Sequence, residues 1–189
     1  MKKHILILVF ALVLPAALLA QNWKNDPAHS RMEFTISHTL ISDMGGIFKD
    51  YAINITASQT DFSDAAIEVV VQTKSVDTEV DMRDEHLRSA DFFDVTKNPE
   101  MRFKSDKIKQ IDGKTFLVTG NLTLNGVTKP VELTMVHNGS YTNKENKIIS
   151  GITVTGNILR SDFNFGSKFP VAVLGDRVSI KVNAEMKQQ

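Results

Sequence analysis

The residues best equipped for chemistry stand together in Arg83-Asp84-Glu85-His86-Leu87-Arg88-Ser89-Ala90-Asp91-Phe92-Phe93-Asp94. Arg83 and Arg88 offer forked guanidinium donors that suit an anionic group. The same donors would serve equally in local ion pairs with Asp84, Asp91 or Asp94. Helical spacing makes Asp84 and Arg88 an i,i+4 acid–base pair. Asp91 and Asp94 are candidate paired carboxylates, but Asp-Phe-Phe-Asp at the end of a short helix is equally turn chemistry. Beyond the N-terminal segment the histidines are His29, His38, His86 and His137. None forms a close pair with metal spacing, so the sequence asks for no metal and no cofactor unless the fold gathers His29 and His38. Ser30, Ser89 and Ser161 lie outside any Gly-x-Ser-x-Gly elbow, and no glycine-rich phosphate loop opens a helix. No catalytic set emerges.

The aromatic residues carry a stronger pattern. Phe92, Phe93, Phe163, Phe165 and Phe169 fall in two irregular segments, which a barrel would bring to one mouth. An apolar pocket with a few polar groups at its rim is the usual design of a small-molecule site. The alternative is that these rings simply cap a core.

What must position them is almost entirely β-structure. Met32, Phe34, Ile36 and His38 alternate with polar neighbours, as in a half-buried strand. Met44-Gly45-Gly46 reads as a turn, and Ile47–Thr56 as a second strand, with a bulge near Lys49-Asp50 because Phe48 is out of step. Ile67, Val69 and Val71 share a face, as do Met101 and Phe103. Asp112-Gly113 and Asn125-Gly126 are hairpin signals around a long alternating strand. Strands through Val131–Met135, Ile148–Ile158 and Val178–Ala184 follow. About eight strands joined by short turns imply an all-β antiparallel sheet, closed as a barrel or folded as a sandwich. Ser75–Asp94 is the helical insertion, either a lid over a barrel mouth or a crossover that completes the core. Inward small residues such as Thr73, Ser105, Gly120, Ser150, Gly156 and Ala184 suggest internal space.

Lys2 and Lys3 precede the apolar run Ile5–Leu14 and the small-residue stretch ending at Ala20. That is the layout of a cleavable signal peptide over residues 1–20, too short in its apolar core for a membrane span of ~20 residues. Residues 21–189 then form one domain without a permanent membrane anchor. Its charge, 20 basic against 22 acidic residues once Lys2 and Lys3 are removed, excludes an electrostatic nucleic-acid binder. There is no cysteine, so no disulfide supports the fold.

Several motifs in order make the chain similar to a known family. They are Trp23 with Asp26-Pro27-x-His29-Ser30, Phe34-x-Ile36-x-His38, Gly46-x-Phe48, and Arg83-Asp84-x-His86-Leu87-Arg88-Ser89-x-Asp91-Phe92-Phe93-Asp94. They continue with Pro99-x-Met101-x-Phe103-x-Ser105, Gly120-x-Leu122-Thr123-Leu124-x-Gly126-Val127-Thr128-Lys129, Arg160-x-Asp162-Phe163 and Gly175-Asp176-x-Val178. This series resembles the YceI-like family of bacterial polyisoprenoid-binding proteins; Met101 and Leu124 depart from its usual β-branched residues. The resemblance implies an extended lipocalin-like, eight-stranded antiparallel barrel with a helix over it. It also implies an isoprenoid or other long apolar lipid in the cavity, no catalytic residues, and, with the signal peptide, a periplasmic location. On this reading Phe34, Ile36, His38, Phe48, Leu87, Phe103, Phe163 and Phe165 face the ligand, Phe92 and Phe93 gate the mouth, and Arg83 and His86 meet a headgroup. A homodimer is compatible with the strand pattern.

Overall fold

The period-two alternation becomes eleven strands in a computed structural model that describes residues 20–189. They are β1 (Gln21–Asn25), β2 (Arg31–His38), β3 (Ser42–Phe48), β4 (Tyr51–Ala57), β5 (Ala66–Gln72), β6 (Val76–Asp77), β7 (Glu100–Asp112), β8 (Thr115–Leu124), β9 (Val127–Thr142), β10 (Ile148–Leu159) and β11 (Leu174–Gln188). The one α-helix among the described residues, α1, spans Asp81–Arg88. The signal-peptide assignment falls on residues outside the described part, Ala20 excepted.

Every pairing is antiparallel. The ring runs β1-β4-β5-β7-β8-β9-β10-β11 and closes by β1 against β11. At the level of β1, closing the sheet leaves these eight strands no free edge, which is the usual antiparallel solution to edge pairing. β11 is long enough to serve two partners: Val178–Asn183 pair with β2, and Met186–Gln188 pair with β1. β1 and β2 are separated by a single 3-10 turn over Pro27–His29. Below this turn the ring is closed. Above it, β2, β3 and β6 extend the sheet from β11, and α1 packs beside β6. This end is called the upper end; β1 marks the lower.

Two expectations about the first hairpin change. Met44-Gly45-Gly46 is not a turn: these residues lie within β3, opposite Ile36, Thr35 and Phe34. The chain reverses at Thr39-Leu40, which have φ of 51° and 61°, and the Ile41 amide closes the turn on His38 O at 3.2 Å. Both central residues are left-handed, the geometry that hairpin twist demands but that Asn-Gly usually supplies. The expected bulge at Lys49-Asp50 is a strand break: β3 pairs with β2, whereas β4 pairs with β1 and β5.

The lower end is plugged. Phe62 is fully buried with a left-handed φ of 64°. Its ring stands edge-on to Trp23, 5.1 Å between centroids, and faces the buried His137. His137 Nε2 lies 3.0 Å from Ser140 Oγ, which is 2.7 Å from Ser150 Oγ, and Ser150 donates to Thr60 O. Ser150 therefore anchors the plug loop rather than leaving space.

Two of the other small residues, Gly120 and Gly156, also yield their space. Gly120 lies under the Phe103 ring of the neighbouring strand; a Cβ there would come within 2.7 Å of the ring and would collide with Lys104 O. Leu133 lies across Gly156 in the same way. Glycine lets a large side chain lie along the barrel wall instead of standing into the lumen. Gly120→Ala is expected to cost about 2–3 kcal/mol by overpacking, read as a lowered midpoint of urea denaturation.

Candidate functional site

The site is assembled at the upper end from two irregular segments. Half-buried Asn98 and the β8–β9 turn bring them together: Asn98 Nδ2 donates to Phe93 O and to Asn125 Oδ1, and Asn125 Nδ2 donates to Phe163 O. The second segment is organised by Arg160, which is 3% exposed. Its guanidinium donates to five backbone carbonyls, those of Phe165, Gly166, Phe169, Leu174 and Gly175, at 2.7–3.1 Å. Gly166, with φ of 61°, gives the Phe92 ring room to lie against the loop.

The result is a continuous ladder of rings. Phe34 lies 5.6 Å from Phe48, Phe48 5.7 Å from Phe93, and Phe93 4.6 Å from Phe165. Phe165 meets Phe92 at 5.5 Å, and Phe92 stacks on Phe169 at 5.0 Å. His86 closes the outer end, edge-on to both Phe92 and Phe169. The ladder runs from half-buried Phe34 through the buried Phe48 and Phe93 to the surface at His86. Phe48, Phe92 and Phe93 are buried, Phe34 and Phe165 half-buried, and His86 exposed.

Deeper in the barrel is a cavity of about 100 Å³ with no polar surface in its lining. Its wall is built from inward residues of eight strands, among them Met32, Val69, Phe103, Leu133, Val154 and Ile180. Phe103 is the one cavity-lining residue shared with the ligand-facing set named from sequence. The aliphatic remainder was visible only as the apolar phase of the strand alternation. Ile36 faces inward on β2 above Phe34, opposite Met44 and Val178. Leu87 packs on the core from α1. Phe163 is buried in the loop after β10, off the ladder. His38 is exposed at the top of β2.

The charged residues of α1 serve the local fold. The expected Asp84–Arg88 pair gives way to other partners: buried Asp84 accepts from the Thr78 amide and hydroxyl, and Arg88 donates to Lys74 O and Val76 O. Arg83 Nε and Nη2 donate to the Thr78 hydroxyl and carbonyl. Neither arginine takes the carboxylates proposed from sequence, because β6 and its flanks present carbonyls at closer range. Asp91 and Asp94 do not form a carboxylate pair. Asp91 bonds Lys168 and lies 3.5 Å from His86, while Asp94 is paired with Lys97.

His29 and His38 sit at opposite ends of β2 and are not gathered. His29 instead belongs to a latch at the β1–β2 break. Asp26 accepts from the Ala28 amide and lies 2.7 Å from both His29 Nδ1 and Lys187 Nζ, with Glu185 nearby. Asp26, His29 and Glu185 are metal-ligand types within reach of one another, but the Lys187 ammonium already supplies the cation. The lysine and histidine hold the Asp26 carboxyl down to about 2, and Asp26 raises His29 in return. The Asp26 contribution is complete above the ordinary aspartate range and is lost as pH falls towards 2. The His29 contribution is complete below about pH 6.5 and is lost as pH rises through its elevated value. Asp26→Asn is therefore expected to cost about 1–2 kcal/mol, most between about pH 4 and 6.5. Thermal denaturation of both proteins from pH 2 to 8 checks this, with the gap narrowing towards each end.

Comparisons with known proteins agree with this architecture. A YceI-like domain profile matches residues 23–186. A UPF0312 protein of Pectobacterium carotovorum is 39% identical over 168 residues, covering 87% of each chain. The crystal structure of the Campylobacter jejuni YceI protein superposes with a TM-score of 0.75 at 33% identity, over 79% of this chain and 87% of that one. A polyisoprenoid-binding domain from Saccharophagus degradans shares the fold at a TM-score of 0.62 and 16% identity, over 88% of this chain and 98% of that one. With its closed eight-stranded ring and a profile match from Trp23 to Met186, the chain belongs to the YceI-like family.

Proposed function

We propose that the barrel binds one apolar lipid chain, an isoprenoid or quinone-type tail, and carries or sequesters it without chemical change. The observation behind this reading is the interior: a cavity whose lining is wholly apolar, beside an unbroken ladder of phenylalanines that reaches it where Phe48 pairs with the cavity-lining Met32. Such a wall rewards hydrocarbon at ~0.8 kcal/mol per buried CH₂ and offers nothing to a polar solute. The polyisoprenoid-binding domain of Saccharophagus degradans, which has the same fold, supports the ligand class.

The cavity of about 100 Å³ is well below the ~300 Å³ of a typical small-molecule site. A long tail must therefore displace rings as it enters. Phe34, Phe48, Phe93 and Phe165 are the rings in its path, with Phe92 at the outer end and Phe103 in the chamber. A headgroup would rest near His86 and His38. Arg83 spends two of its donor groups on Thr78. In this proposal the carrier works in the periplasm, a reading that the N-terminal apolar run supports.

The small volume favours one competing reading, a filled barrel that acts through its surface. Native mass spectrometry of the purified protein, followed by organic extraction, separates the two. A stoichiometric isoprenoid or quinone is the expected result. A protein that arrives empty, and stays empty with a panel of isoprenoids and fatty acids, would overturn the carrier reading.

A further inference from the structure

Nine large apolar side chains among the described residues are exposed, and six stand at the upper end: Leu40, Ile41, Val80, Met82, Val171 and Val173. They come from three segments: the β2–β3 turn, the start of α1, and the loop before β11. Hydrogen bonds hold these segments in place. The Thr39 amide donates to Val173 O at 2.9 Å, and Arg83 reaches Met44 Sδ at 3.8 Å while its other nitrogens hold Thr78. Ile41 is 86% and Met82 81% exposed, among the most solvated of these side chains.

From this rim we infer that the upper end docks on the surface of a lipid bilayer, with the β2–β3 turn inserted. The inference rests on the lipid-carrier reading above. Two observations favour a bilayer over another occupant. The rim flanks the outer end of the ring ladder, since Val171 and Val173 follow Phe169 in the same loop and Val80 and Met82 precede His86 at α1, so a tail could pass from membrane to ladder along an apolar path. The apolar residues project from separate loop tips rather than lining a groove. Projecting tips fit a deformable layer, and a second convex rim could not bury them well.

The turn is also costly where it stands. Leu40 has a φ of 61° and is 70% exposed. Asparagine or glycine would relieve both the backbone and the solvation penalty. The charge of the rim decides the lipid. Asp43, Glu79, Asp81 and Glu85 are exposed around it or on its flank, and Lys168 is paired with Asp91. An uncharged, zwitterionic surface suits this rim better than an anionic one.

The test uses the polypeptide from Gln21 on. This polypeptide contains the whole closed ring and lacks the apolar run that would itself partition into lipid. Flotation with phosphatidylethanolamine/phosphatidylcholine vesicles should carry the protein, and adding phosphatidylglycerol should weaken its binding. The double variant Leu40→Asn, Ile41→Asn should bind at least tenfold less, with a melting temperature equal to or above that of the unsubstituted protein. Failure of the unsubstituted protein to float, or equal flotation of the variant, would overturn the inference. So would a change of oligomeric state in the variant on size-exclusion chromatography, which would assign the rim to self-association. A protein that holds extracted lipid yet ignores vesicles refutes the rim alone. One that floats but stays empty of lipid refutes the carrier reading.

Discussion

Replacing Arg160 by methionine is expected to destabilise the protein by about 3–5 kcal/mol, a large part of the ~5–15 kcal/mol that holds a domain of this size. The side chain is buried and its five hydrogen bonds all end on backbone carbonyls. Methionine keeps most of the volume but orphans those acceptors, and each acceptor left dry costs ~1–3 kcal/mol. The loop would relax to let water in, which keeps the total below the sum. Arg160→Lys should recover little of the loss. An ammonium has three donors at one point, whereas the guanidinium spreads five across a plane and here spans carbonyls from Phe165 to Gly175. Denaturant melts of both variants read the loss. Hydrogen exchange should show it concentrated in residues 164–173, which carry Phe165 and Phe169 of the ladder. A methionine variant within 1 kcal/mol of the parent would mean that the loop supports itself.

Arg160 also shows what a sequence hides. Its neighbourhood reads as an irregular aromatic loop, because carbonyl acceptors have no side-chain signature. The barrel itself was legible, since alternation in β5, β8, β10 and β11 is set by one buried face and needs no long-range knowledge. The first hairpin was not. Gly45-Gly46 carries the composition of a turn but lies in β3, where Gly46 lets the Phe34 ring lie flat. The real turn, Thr39-Leu40, has the composition of a strand. Glycine marks either a left-handed turn or a close approach, and composition alone does not choose between them. The same ambiguity made Gly120 and Gly156 look like empty space when Phe103 and Leu133 fill it. Of the candidate site, the meeting of the two aromatic segments followed from closing the barrel. The roles of Asp84, Arg83 and Arg88 did not, because local backbone acceptors outcompeted the expected carboxylates.

Filling the chamber should weaken lipid binding by roughly two hundredfold while sparing the fold, and Val154→Phe is the variant that does so. Val154 lies on β10, lines the cavity and is half-buried. Its register partners are Met135 on β9 and Val182 on β11. Phenylalanine adds several carbon atoms to a void of about 100 Å³, so much of the usual ~1–3 kcal/mol cost of overpacking is absorbed. The ligand has no such relief. A tail that loses about four CH₂ groups' worth of burial gives up ~3 kcal/mol, roughly a two-hundredfold loss of affinity. Titration with a fluorescent isoprenoid, alongside a thermal melt, reads both effects. Loss of affinity with a melting temperature near that of the parent places the tail in the chamber. Retained affinity would move the ligand out of the barrel and onto the ring ladder or the outer surface. A matched enlargement, Phe103→Leu, separates chamber from ladder further. It trims the ring that lies over Gly120 and should admit a longer tail, whereas a ligand held outside would not register the change.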